Sequence, residues 1–216
     1  MKFKNLKDLF LGVVISSLGI SMVINANLGA FPITSCNIFL SETLHISYGF
    51  ASMLIELLML AICLKFKTKI SLGMLVNCFI AGYVIDLFNL FIPTMTFLPI
   101  QILMLITGVI VMSCGAYFNI KASVGNSNSN ELQTILQRLS GRSVMFARNT
   151  IEIIAFCIGL FGSGCGIATP ILAILYGTVM NYIFKLLHFD ATKVEQQSLR
   201  DLFKHQTIKE IIIEGL

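Results

Sequence analysis

Hydrophobic residues dominate six segments of this chain, and short polar segments separate them. Each apolar segment has roughly the 20 residues that an α-helix needs to cross the hydrocarbon core of a bilayer. The six segments are residues 9–28, 48–64, 70–92, 97–120, 144–161 and 167–187. The pattern therefore predicts an all-α membrane protein with six transmembrane helices.

The second half of the chain repeats the first. Residues 12–56 align with residues 108–152 without a gap, and 13 of the 45 aligned positions are identical, including Glu56 with Glu152. With an offset of 95, residues 73–86 align with 168–181. Each copy holds three spans, and an odd number makes the second copy enter the membrane from the opposite side. This arrangement predicts two inverted three-helix repeats, as in many secondary transporters.

The repeat also sets the domain organisation. Repeat one covers residues 9–92 and repeat two covers residues 97–187, and both lie in a membrane domain over residues 1–188. Residues 189–216 are predicted to form a cytoplasmic tail with an amphipathic helix.

A long connection follows the first span of each repeat. Residues 29–47 begin with Gly29 and Pro32, and residues 125–143 begin with Gly125 and a polar run that includes Asn130. Each connection then has apolar residues at helical spacing, which predicts a short helix with one apolar face. The first face consists of Ile33, Cys36, Phe39 and Leu40, and the second of Leu132, Ile135, Leu136 and Leu139. A re-entrant half-helix and a helix lying in the interface are both compatible with this pattern.

Basic residues are confined to alternate ends of the predicted spans. All 15 lysines and arginines fall in the N-terminus, the connections after spans two and four, the start of span five, or the end of span six and the tail. Because cytoplasmic loops carry the excess of Lys and Arg, both termini are predicted to be cytoplasmic. The expected location is a bacterial inner (cell) membrane, crossed several times.

Composition agrees with the span prediction and narrows the chemistry. The chain is 56% hydrophobic and 12% charged, against about 25% charged residues in soluble domains. Its six cysteines and three histidines do not have the spacing of metal ligands, and it contains no phosphate-binding or dinucleotide-binding glycine motif. We therefore expect a lipid bilayer as surroundings, no nucleic-acid partner, no metal, no cofactor and no catalytic residues.

Two acidic residues stand at the centres of predicted spans. Glu56 and Glu152 occupy equivalent positions of the repeats, and a charge at the middle of a span costs about 3 kcal/mol on insertion scales. One interpretation is a proton- or cation-linked site near the midplane of the membrane. The other is that each carboxylate accepts hydrogen bonds from neighbouring helix ends and holds the repeat together.

Three other polar residues are candidates for a substrate or ion site. Arg148 precedes Glu152 by four residues, so the two share a helix face; it could neutralise Glu152, bind an anion, or extend to lipid phosphates. Asn77 and Asp86 lie in span three. Asn77 is expected to form a hydrogen bond across helices, whereas for Asp86 a structural and a ligand-binding role are both open.

The chain resembles the YitT/YczE family of bacterial integral membrane proteins over most of residues 9–187. The matching motifs are Leu28 to Pro32, Gly82 to Asp86, Gly125, and Gly141 to Val144 followed by Arg148 and Glu152. The family often has an aspartate where this chain has Thr34, and another at the equivalent position of repeat two, Asn130. The resemblance implies the fold and carries no assigned activity.

The repeated architecture favours a permease for a small solute, with its site between the repeats. Glu56 and Glu152 would be the coupling acids, Arg148 an anion or counter-charge contact, and Gly29 and Gly125 the breaks that expose backbone dipoles. The alternatives are a substrate-capture subunit that works with a separate ATPase, and a non-transporting accessory protein for an enzyme or secretion system. A protein partner or a homodimer is compatible with all three.

Overall fold

The computed structural model describes residues 3–68, 70–124, 127–189 and 194, and helices are the regular secondary structure of this part of the chain, without a strand. Eight helices follow one another in the order long, short, long, long, and then the same again. They are α1 (Phe3–Asn25), α2 (Pro32–Leu44), α3 (Tyr48–Lys65), α4 (Leu72–Phe91), α5 (Leu98–Lys121), α6 (Asn128–Ser140), α7 (Val144–Gly159) and α8 (Ala168–Leu186). Nearly all of the predicted tail lies outside the described residues.

Five of these helices are long and apolar enough to cross a membrane: α1 from Asn5, α3, α4, α5 and α8. The predicted fifth span corresponds to α7, which has 16 residues. At a rise of about 1.5 Å per residue it is roughly 24 Å long, somewhat less than the hydrocarbon thickness of about 30 Å. Its neighbours in sequence show why it ends there, because Gly159 is followed by a glycine-rich turn.

Serine side chains define where several helices begin. The hydroxyl oxygens of Ser47, Ser71, Ser127 and Ser143 each accept a hydrogen bond from the backbone N–H three residues later. This capping satisfies a donor that has no partner within the helix. Two of the caps, Ser47 and Ser143, are repeat equivalents, so the same local signal starts α3 and α7.

Helices α1 and α5 form the centre of the bundle and run antiparallel. Gly12 lies beside Asn119, and further along the pair Gly19 lies beside Met112. A Cβ on Gly12 would come within 2.7 Å of the backbone nitrogen of Asn119, so only glycine permits this approach. Small residues let membrane helices pack closely, and these glycines allow that approach here.

The packing of the other helices follows the repeat with one exception. α1 packs on α4 as α5 packs on α8, α2 packs on α3 as α6 packs on α7, and α2 packs on α7 as α6 packs on α3. α3 also packs along α4. Within the described chain, the equivalent helices α7 and α8 are not among the packed pairs, and a Cβ at Gly177 of α8 would meet only Arg148 of α7 within 4 Å. We call the space between these two helices the gap.

The protein buries polar rather than apolar residues of α2. Its most buried residues include Thr34, Ser35 and Asn37, whereas the residues of its apolar face are only half-buried. Small polar side chains form helix contacts in membranes, where lipid is as favourable as protein for an apolar side chain. In α6 the apolar face does contribute a core residue, because Ile135 is buried near Leu60 and Met74.

Candidate functional site

Glu56 lies at the middle of α3 and accepts a hydrogen bond from the first residue of α6. The side-chain Nδ2 of Asn128 donates to Glu56 Oε2 over 2.6 Å. Asn128 is fully buried, and its backbone oxygen lies 4.0 Å from Cys63 Sγ. The N-terminus of α6 therefore stands beside the centre of a long apolar helix and supplies the donor that the Glu56 carboxylate needs.

A second buried polar group lies near the same helix. Asn37 Nδ2 donates to the Tyr48 hydroxyl oxygen over 3.2 Å, and Thr34 lies beside that hydroxyl. Tyr48 also interacts electrostatically with Glu56 and Asp86. Sequence reasoning missed Asn37, Tyr48 and Asn128. The available signal for Asn37 was that it is the one amide side chain of α2. Asn128 stands in a polar run, and nothing in the sequence distinguishes it there.

Two amide oxygens in this region have no donor. Asn37 Oδ1 and Asn128 Oδ1 are buried, and neither accepts a hydrogen bond from any described residue. Unsatisfied buried acceptors are uncommon because each costs about 1–3 kcal/mol.

Glu152 has different surroundings from its repeat equivalent. It lies at the middle of α7, and its Oε2 is buried without a hydrogen-bond partner in the described structure. Arg148 is one turn away and interacts with it electrostatically, as the shared helix face predicted. Among the described side chains no hydrogen bond or ion pair joins the two, so the carboxylate and the guanidinium are near each other but not engaged.

The gap between α7 and α8 contains this charged pair. The nearest atom to a Cβ added at Gly177 of α8 would be Arg148 Nη1, at 3.9 Å, so the guanidinium reaches across the gap into uncrowded space. Tyr176 interacts electrostatically with both Arg148 and Glu152. Its ring also packs edge-on against Phe31, with centroids 5.2 Å apart.

The N-terminus of α2 completes these surroundings. Phe31 is the N-cap residue of α2 and Pro32 is its first residue, and no side chain caps this helix end. Gly29, just before it, has φ +113°, and a Cβ there would lie 2.6 Å from Gly166 N. The predicted break at Gly29 and the helix start at Pro32 are therefore both present. Gly125, the equivalent of Gly29, lies outside the described residues.

The remaining candidates, Asp86, Asn77 and Asn130, either form a hydrogen bond with the backbone or are exposed. Asp86 Oδ1 accepts a hydrogen bond from Gly49 N at the start of α3, over 2.7 Å. Asn77 was expected to bond across helices, and this is wrong: its Nδ2 donates to Gly73 O of its own helix. A π-helical turn over Asn77–Ala81 interrupts the regular ladder there, and the side chain reaches the carbonyl one turn back. Asn130 is exposed in the first turn of α6.

A cavity of about 370 Å³ opens at the end of the bundle that holds the C-terminal end of α1. Polar residues make up much of its lining, including Asn25, Asn27, Glu42, Tyr48, Thr94 and Ser163. Tyr48 thus belongs both to this cavity and to the buried polar group beside Glu56. The described residues include no group of three or more His, Cys, Asp and Glu side chains that could hold a metal ion.

Known proteins are similar in sequence to most of this chain. It is 28% identical over 181 residues to the "Uncharacterized protein YyaS" of Bacillus subtilis, covering 81% of this chain and 89% of that protein. It is 26% identical over 176 residues to the "Uncharacterized membrane protein YczE" of the same organism, covering 80% and 82% of the two chains. A Haemophilus influenzae protein described as "Uncharacterized protein" is 19% identical over 187 residues, or 86% of each chain.

No solved structure matches. The relative described as a membrane protein and the apolar helices together identify a membrane protein, and the predicted resemblance to YczE is confirmed. A family model described as "Family of unknown function (DUF6198)" matches residues 3–185. The chain belongs to this YczE-like family of membrane proteins.

Proposed function

We propose that this protein is a permease for a small solute, built from two inverted three-span repeats with α7 as the fifth of six spans and with both termini in the cytoplasm. The packing of α1 on α5 supports the inversion, because the two equivalent helices run antiparallel. Their contacts also reappear when each residue is exchanged for its repeat equivalent, 96 positions away. The contact of Gly12 with Asn119 corresponds to the contact of Gly108 with Val23. In the same way, the contact of Gly19 with Met112 corresponds to that of Gly115 with Ser16.

In this arrangement α2 and α6 are re-entrant half-helices. The N-terminus of α6 lies beside Glu56 at the middle of α3. The start of α2 lies along α7, where Ser35 packs near Gly159, and beside Tyr176 of α8. Irregular backbone at membrane depth is tolerated where protein buries it or where it lines a cavity. Broken helices that point their N-termini at a central site are typical of transporters with inverted repeats.

The observation that carries the proposal is the unpartnered Glu152 carboxylate oxygen. A charge inside a membrane is costly, and such residues commonly pair with each other or line solute pathways. Glu56 has a hydrogen-bond donor in Asn128, whereas Glu152 Oε2 has none in the described structure and lies near a gap that also contains Arg148. A solute that enters the gap would supply the missing donor.

The access route follows from the same geometry. The cavity that Tyr48 lines would be the entrance on the outer side, since it opens where α1 ends and α3 begins. Rocking of one repeat against the other about the α1–α5 contact would expose the site alternately to the two sides. Glu152 would couple solute movement to protonation, and Glu56 would hold α6 against α3.

The test is to purify the protein gently from native membranes, identify what accompanies it by mass spectrometry, and measure uptake of any small molecule found into proteoliposomes. We expect a co-purifying solute and gradient-driven uptake. Glu152→Gln should lower uptake at least tenfold, because the amide cannot take up and release a proton.

Asp8→Asn is the matched control, because it also converts an acid to its amide. Asp8 lies near the N-terminal end of α1, far in sequence from the gap, so this variant should transport at the wild-type rate. Wild-type uptake by Glu152→Gln would contradict the proposal. So would a stoichiometric protein partner with no bound small molecule, which would favour the capture-subunit or accessory role.

A further inference from the structure

Arg148 and Glu152 form an opposite-charge pair that is placed to interact directly and does not. Side chains four residues apart on a helix are neighbours, with Cβ atoms roughly 5–6 Å apart, and such a pair commonly closes into an ion pair. Here the guanidinium extends toward Gly177 of α8, and Glu152 Oε2 is buried without a hydrogen bond from any described group. The two charges are held apart.

An aromatic side chain and a helix end lie near the pair. Tyr176 is close enough to interact electrostatically with both side chains, and its ring contacts Phe31, which precedes the uncapped N-terminus of α2. A helix N-terminus attracts negative groups because its first N–H donors lack partners within the helix. Anion-binding groups and an anionic group thus lie close together beside the gap between α7 and α8.

Charge complementarity then selects the class of ligand. A ligand with only a negative charge would satisfy Arg148 and leave the buried carboxylate without a donor, and a simple amine would do the reverse. Leaving one partner of a buried charged pair uncompensated is strongly unfavourable. A molecule with a cationic N–H donor and an anionic group satisfies both side chains at once.

We propose that the gap between α7 and α8 binds a small zwitterion, with its ammonium on Glu152 and its carboxylate or equivalent anion toward Arg148 and the N-terminus of α2. This inference rests on the proposed function and adds the substrate class to it. The close spacing of the two side chains favours a short separation of charges, on the order of one helical turn or about 5 Å.

A matched set of probes tests the class directly. Glycine, β-alanine, 4-aminobutyrate and 6-aminohexanoate are titrated into the detergent-purified full chain by calorimetry. Propionate and n-propylamine serve as analogues of β-alanine that lack one charge each. We expect at least one of the shorter amino acids to bind, and to bind at least tenfold more tightly than either singly charged analogue.

Two substitutions should change charge preference in opposite ways. Glu152→Gln should reduce the preference for β-alanine over propionate, because the ammonium loses its partner. Arg148→Gln should reduce the preference for β-alanine over propylamine. Arg138→Gln, an exposed arginine on α6, should leave both preferences unchanged. A single symmetric peak in size-exclusion chromatography shows that a variant is folded. Arg148→Lys keeps the positive charge and should still bind, so loss of the site can be told from loss of the fold.

The outcomes separate this inference from transport itself. Three results would overturn the zwitterion site. The first is equal affinity for zwitterions and singly charged analogues, and the second is wild-type binding by both variants. The third is no binding by any amino acid of the series at 10 mM, which corresponds to about 3 kcal/mol of binding free energy. Uptake of a non-zwitterionic solute would also overturn it while leaving the permease intact. Binding of a zwitterion that depends on both side chains, but without uptake, would support the site and overturn the permease.

Discussion

The two halves of the bundle place a glutamate at the same position and treat it differently. Glu56 accepts a 2.6 Å hydrogen bond from Asn128. The repeat equivalent of Asn128 is Pro32, which has no side-chain donor, and Glu152 Oε2 lacks a partner within the described residues. Equivalent positions of the two halves therefore hold a hydrogen-bonded carboxylate in one and a carboxylate oxygen without a described partner in the other.

The helices around the two glutamates show the same difference. α3 and α4 meet where Gly49 and Gly82 approach so closely that a Cβ on either would overlap the other's carbonyl oxygen. The equivalents are Met145 and Gly177. Met145 is 72% exposed and Gly177 faces open space, so the second pair of helices stands apart. A contact as close as that between Gly49 and Gly82 has no room for a Cβ, and Met145 carries one.

The largest expected effect on stability comes from replacing the equivalent glycines, Gly82 and Gly177, by alanine. Gly82→Ala should lower the free energy of unfolding by about 1–3 kcal/mol, as overpacking does, because the contacting atom is backbone and cannot move aside. Gly177→Ala should cost well under 1 kcal/mol, since only Arg148 Nη1 lies within 4 Å. Unfolding in mixed detergent and SDS, followed by circular dichroism, measures both. Equal losses would show that the two helix pairs are packed alike.

A second test separates the hydrogen-bonded glutamate from the free one. Asn128→Leu should destabilise the protein by about 1–3 kcal/mol, because it leaves the Glu56 carboxylate without its donor. Adding Glu56→Leu should recover part of that loss, since no unpaired group then remains. Glu152→Leu alone should not destabilise the protein. Non-recovery in the double variant would mean that the bond between Asn128 and Glu56 is not what stabilises this contact.

The smallest expected effect concerns the hydrogen bond that Asp86 accepts at the start of α3. Asp86→Ala removes the acceptor for Gly49 N and should cost about 1 kcal/mol, in the range measured for helix caps. Asn181, the equivalent of Asp86, is exposed on α8, and Asn181→Ala should change stability by less than about 0.5 kcal/mol. The same SDS titration compares the two. A larger loss for Asn181 would reverse the assignment of the first half as the more tightly packed.

Interpretation of the sequence succeeded where the signal lies along the chain. The apolar segments predicted the long helices to within a few residues at most ends, because segment length and hydropathy are local properties. The short helices in the two long connections were also predicted, since apolar residues at helical spacing mark them. Which side of α2 the protein buries was not predicted, because lipid is as favourable as protein for an apolar side chain.

The candidate site was predicted only in part. Glu152 and Arg148 do lie together, as four residues of separation on one helix required. Asn128 was only part of the polar run after Gly125. Tyr48 and Asn37 were not singled out either, because the importance of all three depends on neighbours far away in sequence. The bond from Asn128 to Glu56 joins residues 72 positions apart, and no spacing rule within one helix predicts such a contact.

The sequence by itself determined that this chain is a helical membrane protein with two related halves, because hydropathy and internal identity can be compared position by position. Only the tertiary structure decided that the two halves give their glutamates different surroundings. Whether a carboxylate has a donor depends on which side chain a separate helix brings to it, and whether a gap stays open depends on how closely two helices approach. In this bundle Asn128 gives Glu56 its donor and Gly49 lies against Gly82, whereas the equivalent positions hold Pro32 and Met145.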